Sequence, residues 1–99
     1  MPENQNVGYG AMIREARHEA GRSLEDVSGE VGCTLAYLSR VEREVASPGR
    51  KLCLRLSEEL DLDKDELLGM VGHVAPDVIQ IIASDPALAK ELRERALKR

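Results

Sequence analysis

The chain has 99 residues, enough for one small domain with an appended element but not for two full cores. Hydrophobic residues make up 42% and charged residues 32%, the balance of a soluble globular chain, which excludes disordered and fibrous classes. The longest uncharged stretches, Leu67 to Pro76 among them, run to ten residues, far shorter than the roughly 20 residues of a membrane-spanning helix. Met1-Pro-Glu-Asn-Gln-Asn shows no basic segment followed by an apolar one, so no secretory signal and a cytoplasmic location are expected. Cys33 and Cys53 are too few for a disulfide scaffold, and Tyr9 and Tyr37 are too few for a single-strand stacking platform.

Charge is unevenly spread. Residues 1–57 carry eight basic side chains (Arg14, Arg17, Arg22, Arg40, Arg43, Arg50, Lys51, Arg55) against eight acidic ones. Residues 58–99 hold ten acids against six bases, which accounts for the whole net charge of −4. Affinity for nucleic-acid phosphate comes from Lys and Arg releasing counterions, so an acidic chain needs a local basic face to bind DNA.

Tyr9, Met12, Ile13, Ala16 and Ala20 recur at helical spacing, and Gly21 supplies a stop. Ser23 opens a second helix, with Asp26 three residues on for a capping box and Leu24, Val27 and Val31 as its buried stripe. Thr34 is the N-cap of a third, with Leu38, Val41 and Val45 on its inner face. Ser47-Pro48 is expected to open a fourth, with proline at the first helical position and Leu52, Cys53, Leu56 and Leu60 turned inward. Asp63 and Glu66 repeat the capping-box pattern before Leu67, Leu68 and Met70. Val71 to Ala75 read as a connector, Pro76 starts a sixth helix rich in Val78, Ile79, Ile81 and Ile82, and Asp85-Pro86 caps a seventh from Ala87 to Lys98. Glu91–Arg95 and Glu94–Lys98 stand at i,i+4 on it. Sustained period-two alternation is missing, so the class is all-α.

Ser23 to Val31, the turn Gly32-Cys33-Thr34, and Leu35 to Arg43 have the lengths of a helix-turn-helix. An ordinary αα-hairpin has the same spacing, so the lengths alone leave both readings open.

Residues 9–68 resemble the Cro/C1-type (XRE) helix-turn-helix family of bacterial and phage regulators. The resemblance lies in Ile13-Arg14-Glu15-Ala16-Arg17, Gly21-Arg22-Ser23, Gly32-Cys33-Thr34, Tyr37-Leu38-Ser39-Arg40-Val41-Glu42-Arg43, Ser47-Pro48 and Asp65-Glu66-Leu67-Leu68. The run from Tyr37 to Arg43 is the most specific. The resemblance implies a five-helix, lambda-repressor-like DNA-binding domain over residues 9–70, with residues 71–99 as a C-terminal helical extension. It also implies a sequence-specific, double-stranded-DNA-binding transcriptional regulator, a homodimeric repressor reading a palindromic operator with residues 34–43 in the major groove.

Carried onto this sequence, the family pattern assigns base readout to Thr34, Leu35, Ala36, Ser39 and Arg40. Arg40 is suited to guanine O6 and N7, and Leu35 and Ala36 to thymine methyl groups. Leu35 could equally be a packed or dimer-facing leucine. Phosphate contacts fall to Arg22, Tyr37, Arg43, Arg50 and Lys51. Arg17 and Glu42 match a family ion pair that joins the first and third helices. The sequence departs from the pattern in three places. Leu24 stands where a DNA-contacting Gln is frequent. Glu44 replaces the glycine that ends the recognition helix, so that helix is expected to run one turn further. Arg50 replaces an apolar residue.

The tail is expected to dimerise through Val78, Ile79, Ile82, Leu88 and Leu92; the alternative is that it folds back on its own core. Catalysis finds no support: His18 and His73 lack metal-ligand companions, and neither a Cys-x-x-Cys, a nucleophile motif nor a phosphate-binding glycine signature occurs. No enzyme activity, cofactor or metal is expected. Cys33 and Cys53 read as small buried hydrophobes, since nothing nearby lowers a thiol pKa. A second functional class stays open, a protein-interaction module such as an antitoxin or adaptor whose tail binds a partner protein. An effector domain is not visible in this sequence, so induction is expected to use the tail or another protein.

Overall fold

A computed structural model describes residues 8–98, so the expectation about a secretory signal in the first six residues lies outside the described residues. The helices are α1 (Tyr9–Glu19), α2 (Leu24–Val31), α3 (Leu35–Glu42), α4 (Arg50–Leu60), α5 (Lys64–Met70), α6 (Pro76–Ala83) and α7 (Pro86–Leu97), and the described residues contain no strand. None of these helices is long and apolar enough to cross a membrane.

Local chemistry sets most of the boundaries. Ser23 Oγ accepts from Asp26 N at 2.9 Å while Ser23 N donates to Asp26 Oδ2 at 3.2 Å, a complete capping box at the start of α2. Gly32, at φ +79°, ends that helix, and Thr34 Oγ1 accepts from Tyr37 N at 3.0 Å to begin α3. Asp63 Oδ1 accepts from Glu66 N at 3.0 Å to begin α5, without the reciprocal bond of a full box. At α7 the Asp85 side chain makes no capping bond, and proline alone marks the helix start.

The core is drawn from all five leading helices. Ile13, Val27, Leu38, Val41, Cys53, Leu56, Leu67 and Leu68 are fully enclosed, with Val31, Leu60 and Ala75 close to it. Leu24 and Leu52 are half-buried against the same core.

Three expectations are corrected here. The recognition helix does not run on past Glu44: α3 stops at Glu42, and Glu44 takes the left-handed conformation at φ 61°. Glu44 N donates to Val41 O at 3.0 Å and Val45 N to Arg40 O at 2.9 Å, the paired bonds of a Schellman ending. A glutamate occupies the glycine position because its carboxylate is anchored, Oε2 accepting from Gly10 N at 2.9 Å at the start of α1. With the helix ended, Val45 is not on an inner face but 62% exposed. Pro48 does not open α4, which begins at Arg50 with Gly49 as N-cap; Pro48 is fully buried in the loop before it. The two tyrosines hold that loop off the helix, Tyr9 Oη donating to Ala46 O at 3.0 Å and Tyr37 Oη to Ser47 O at 3.1 Å.

Helices α6 and α7 pack against each other and bury no residue completely. Ala75 and Val78 touch the main core, while Met70, Val74, Ile79, Ile81, Leu92 and Leu97 stay exposed. The radius of gyration is 15.7 Å, against ~13 Å for a compact chain of this length. Neither Glu91–Arg95 nor Glu94–Lys98 closes to ion-pair distance among the described residues.

Candidate nucleic-acid interface

Helix α3 has one face in the core and one in solvent. Leu38, Val41 and Glu42 are buried, whereas Thr34, Leu35, Ala36, Arg40 and Arg43 are exposed and Ser39 and Tyr37 half-buried. The two faces arise from the 3.6-residue period acting on LAYLSRVE, which places its inward residues at positions 38, 41 and 42.

Glu42 brings a charge into this packing and needs a partner. Arg17 supplies it as a fork, Nε donating to Oε2 at 2.8 Å and Nη2 to Oε1 at 3.0 Å. Arg17 Nη1 also donates to Arg22 O at 3.2 Å, so one guanidinium ties α1 to α3 and to the chain entering α2. The hydrogen bond that Arg17 donates to Glu42 holds the arginine pKa above its ordinary value.

The electrostatics of the surrounding surface follow from where the acids go. Between Thr34 and Ser57 the only acidic residues are Glu42 and Glu44. The first is paired with Arg17 and the second caps α1. Over the same stretch Arg40, Arg43, Arg50, Lys51 and Arg55 are exposed. A net acidic chain therefore presents cations at the end of α3 and along the first two turns of α4.

Two residues expected at phosphate are engaged within the protein. Arg22 Nη1 donates to both the carbonyl and the carboxylate of Glu59 at 3.3 Å, and the Tyr37 hydroxyl proton goes to Ser47. Arg43, Arg50 and Lys51 have no such partner among the described residues. Arg55 was missed by the sequence reading, although it lies four residues after Lys51 on the same side of α4. Its Nη1 donates to Val31 O at 3.2 Å, linking α4 to the last carbonyl of α2. Burial raises the pKa of both thiols, half-buried Cys33 and buried Cys53, which disfavours the thiolate. Among the described residues no cluster of three or more His, Cys, Asp or Glu could hold a metal ion.

The helix-turn-helix family model matches residues 13–67, more than half of the chain and the whole of the segment just described. The chain belongs to the Cro/C1-type helix-turn-helix family. Its class is that of a DNA-binding transcription regulator. Among solved structures, the N-terminal DNA-binding domain of SinR from Bacillus subtilis is 31% identical with a TM-score of 0.57, the match covering 61% of this chain and 88% of that one. The master regulator for biofilm formation SinR in complex with DNA is also 31% identical, at a TM-score of 0.56, over 61% of this chain and 97% of that one. The SinR/SinI complex matches 91% of each chain at a TM-score of 0.57 and 23% identity, a likeness of fold alone. No curated protein matches the sequence.

Proposed function

We propose that this regulator is a homodimeric repressor that reads a palindromic operator with residues 34–43 in the major groove. The observation that carries the reading is the placement of charge: five exposed cations lie on α3 and α4, and the only two carboxylates between Thr34 and Ser57 are each held by a protein partner, buried Glu42 by Arg17 and exposed Glu44 by the Gly10 amide. The DNA complex of a relative sharing 31% of its residues supports it. Residues 9–70 act as the DNA-binding domain and residues 71–99 as the dimerising tail.

Arg40 reads guanine through a two-pronged contact, and Leu35 and Ala36 pack against thymine methyls, with Thr34 and Ser39 completing the readout. Arg43, Arg50 and Lys51 contact phosphate, which fixes the register of α3 without reading sequence. Arg22 joins them on leaving Glu59, and Tyr37 on leaving Ser47. The exposed Ile79 and Leu92, with half-buried Ile82 and Leu88, meet the same residues of a second copy. Val78 belongs instead to the contact between tail and core. A dimer of this kind spans half-sites one helical turn apart and represses by covering promoter DNA. A DNA-binding role fits a cytoplasmic location.

Selection from a random duplex pool at two salt concentrations, with the solution mass recorded, tests this reading. A palindromic motif bound by a dimer is the expected result. Arg40→Ala then relaxes base preference at one position, and Arg43→Ala weakens all duplexes alike while lowering the salt slope by about one. Absence of any enriched motif, with a monomeric chain, would refute it. The second reading, in which the tail binds a partner protein, rests on the apolar side chains that α6 and α7 leave exposed.

A further inference from the structure

A cavity of about 260 Å³ opens between the helix-helix turn and α4, walled by Gly32, Cys33, Tyr37, Leu52, Lys51 and Arg55. Its lining holds two cations and no carboxylate. It is contiguous with the base-reading face, because Cys33 immediately precedes the Thr34 that caps α3.

The Arg55 guanidinium is fixed in this notch before any ligand arrives. Its Nη1 donates to Val31 O at 3.2 Å, at the carbonyl end of α2 where the helix dipole favours a cation. The Nε and Nη2 groups carry no protein partner among the described residues. Gly32 makes room for it: at φ +79° a Cβ there would stand 3.1 Å from Arg55 Nη1. An arginine held at one nitrogen has already lost much of its rotamer freedom on folding, so presenting the rest of its fork to an anion costs little more. Tyr37 Oη gives its proton to Ser47 O and supplies no donor here. The donors are therefore Arg55 and Lys51, four residues apart on one helix, set in a wall that is otherwise apolar or uncharged.

We propose that this notch seats a phosphate oxygen of the DNA backbone, with Arg55 beside Lys51 as its ligand. The proposal rests on the DNA-binding reading above and deepens it, since it adds a cation that locks the turn of the helix-turn-helix to the backbone beside the groove. Arg55 does two jobs at once: Nη1 holds the end of α2, and the remaining N–H groups hold the phosphate.

The test uses the full chain and a duplex recovered by selection, with affinity measured over a range of salt for the wild type, Arg55→Gln, Arg55→Lys and Lys64→Gln. Melting temperatures are taken in parallel. Arg55→Gln is expected to weaken every duplex by at least roughly tenfold, as loss of a charged hydrogen bond does. It also lowers the salt slope by about 0.9 with base preference unchanged. Arg55→Lys keeps most of the slope, and Lys64→Gln, a cation on α5, changes neither. A lower melting temperature for Arg55→Gln with an unaltered slope would show that Arg55 only props the turn and would overturn the assignment. An equal loss in Lys64→Gln would overturn it by tracing the effect to net charge. A wild type that binds no duplex defeats the parent reading as well, a different outcome from a wild type that binds and an Arg55 variant that binds equally. Titration of inorganic phosphate, followed at the Arg55 Nε–H resonance, should not saturate below millimolar concentration. Saturation at micromolar phosphate would assign the notch to a free anion and overturn its assignment to DNA.

Discussion

Gly10 and Gly29 are both helical, one in α1 and one in α2, and the same substitution should act on them with opposite sign. An alanine in a helix is more stable than a glycine by about 1 kcal/mol, because glycine loses more backbone freedom on folding. At Gly29 nothing lies within 4 Å of the added methyl, so Gly29→Ala gains that amount. At Gly10 the methyl would run into the Glu42 carbonyl oxygen and stand 2.8 Å from Glu44 Cγ and 2.9 Å from Glu42 C. Backbone atoms cannot turn away as a side chain can, so α1 must back off from the end of α3. That move costs about 1–3 kcal/mol in overpacking and strains the Gly10–Glu44 hydrogen bond, worth about 1.5–3 kcal/mol when its acceptor is charged. Against the propensity gain of about 1 kcal/mol, the net loss is about 2–4 kcal/mol. At roughly 4–8 °C per kcal/mol for a domain of this size, Gly29→Ala should melt higher by that interval and Gly10→Ala lower by at least about 8 °C. Far-UV circular dichroism during heating and in urea measures both. A Gly10→Ala protein that melts at or above the wild type would refute the close approach of α1 to α3 on which the argument stands.

Glu42→Gln leaves Arg17 without its charged partner at a site where the two side chains are only 6% and 11% exposed. The expected loss is about 3 kcal/mol in urea unfolding, and a loss below ~1 kcal/mol would place the pair among weak surface ion pairs. Glu44→Ala loses the cap on α1 and keeps the left-handed backbone, whereas Glu44→Gly loses the cap and relieves the backbone. Glu44→Gly should therefore be the more stable of the two by about 1 kcal/mol; the reverse order in thermal melts contradicts the Schellman ending. The Asp26 carboxyl is held below its ordinary pKa by the Ser23 backbone N–H and then by the Ser23 hydroxyl. Its stabilisation is present above the unfolded carboxyl pKa and is lost as pH falls through the depressed folded value. Asp26→Asn should be less stable than the wild type at neutral pH, with the gap closing below about pH 4; a gap that stays constant in acid points to some cause other than the charge.

The order of the helices was legible because its causes are local. Ser23 with Asp26, Thr34 with Tyr37 N, and Pro76 at the head of α6 act within a single turn, and the inward stripes of α2 and α4 need only the helical period. The basic character of the α3 surface was only half legible: the arginines are visible in the sequence, but the commitments of Arg22 to Glu59, Tyr37 to Ser47 and Arg55 to Val31 are not. Those bonds join residues 37, 10 and 24 positions apart, and no local pattern records them.

By itself the sequence determined an all-α chain with two short helices about a turn between Ser23 and Arg43, because capping and periodicity operate over three or four neighbouring residues, while the family came from the resemblance of its motifs over residues 9–68. Tertiary structure alone decided where the recognition helix ends, that Pro48 is a core residue of a loop, and that the last two helices leave Ile79, Ile81, Leu92 and Leu97 exposed. Each of these depends on groups brought together by packing. Glu44 can hold a left-handed conformation because an α1 amide 34 residues away receives its carboxylate. Pro48 is enclosed in a loop whose neighbouring carbonyls are held by two phenols from separate helices.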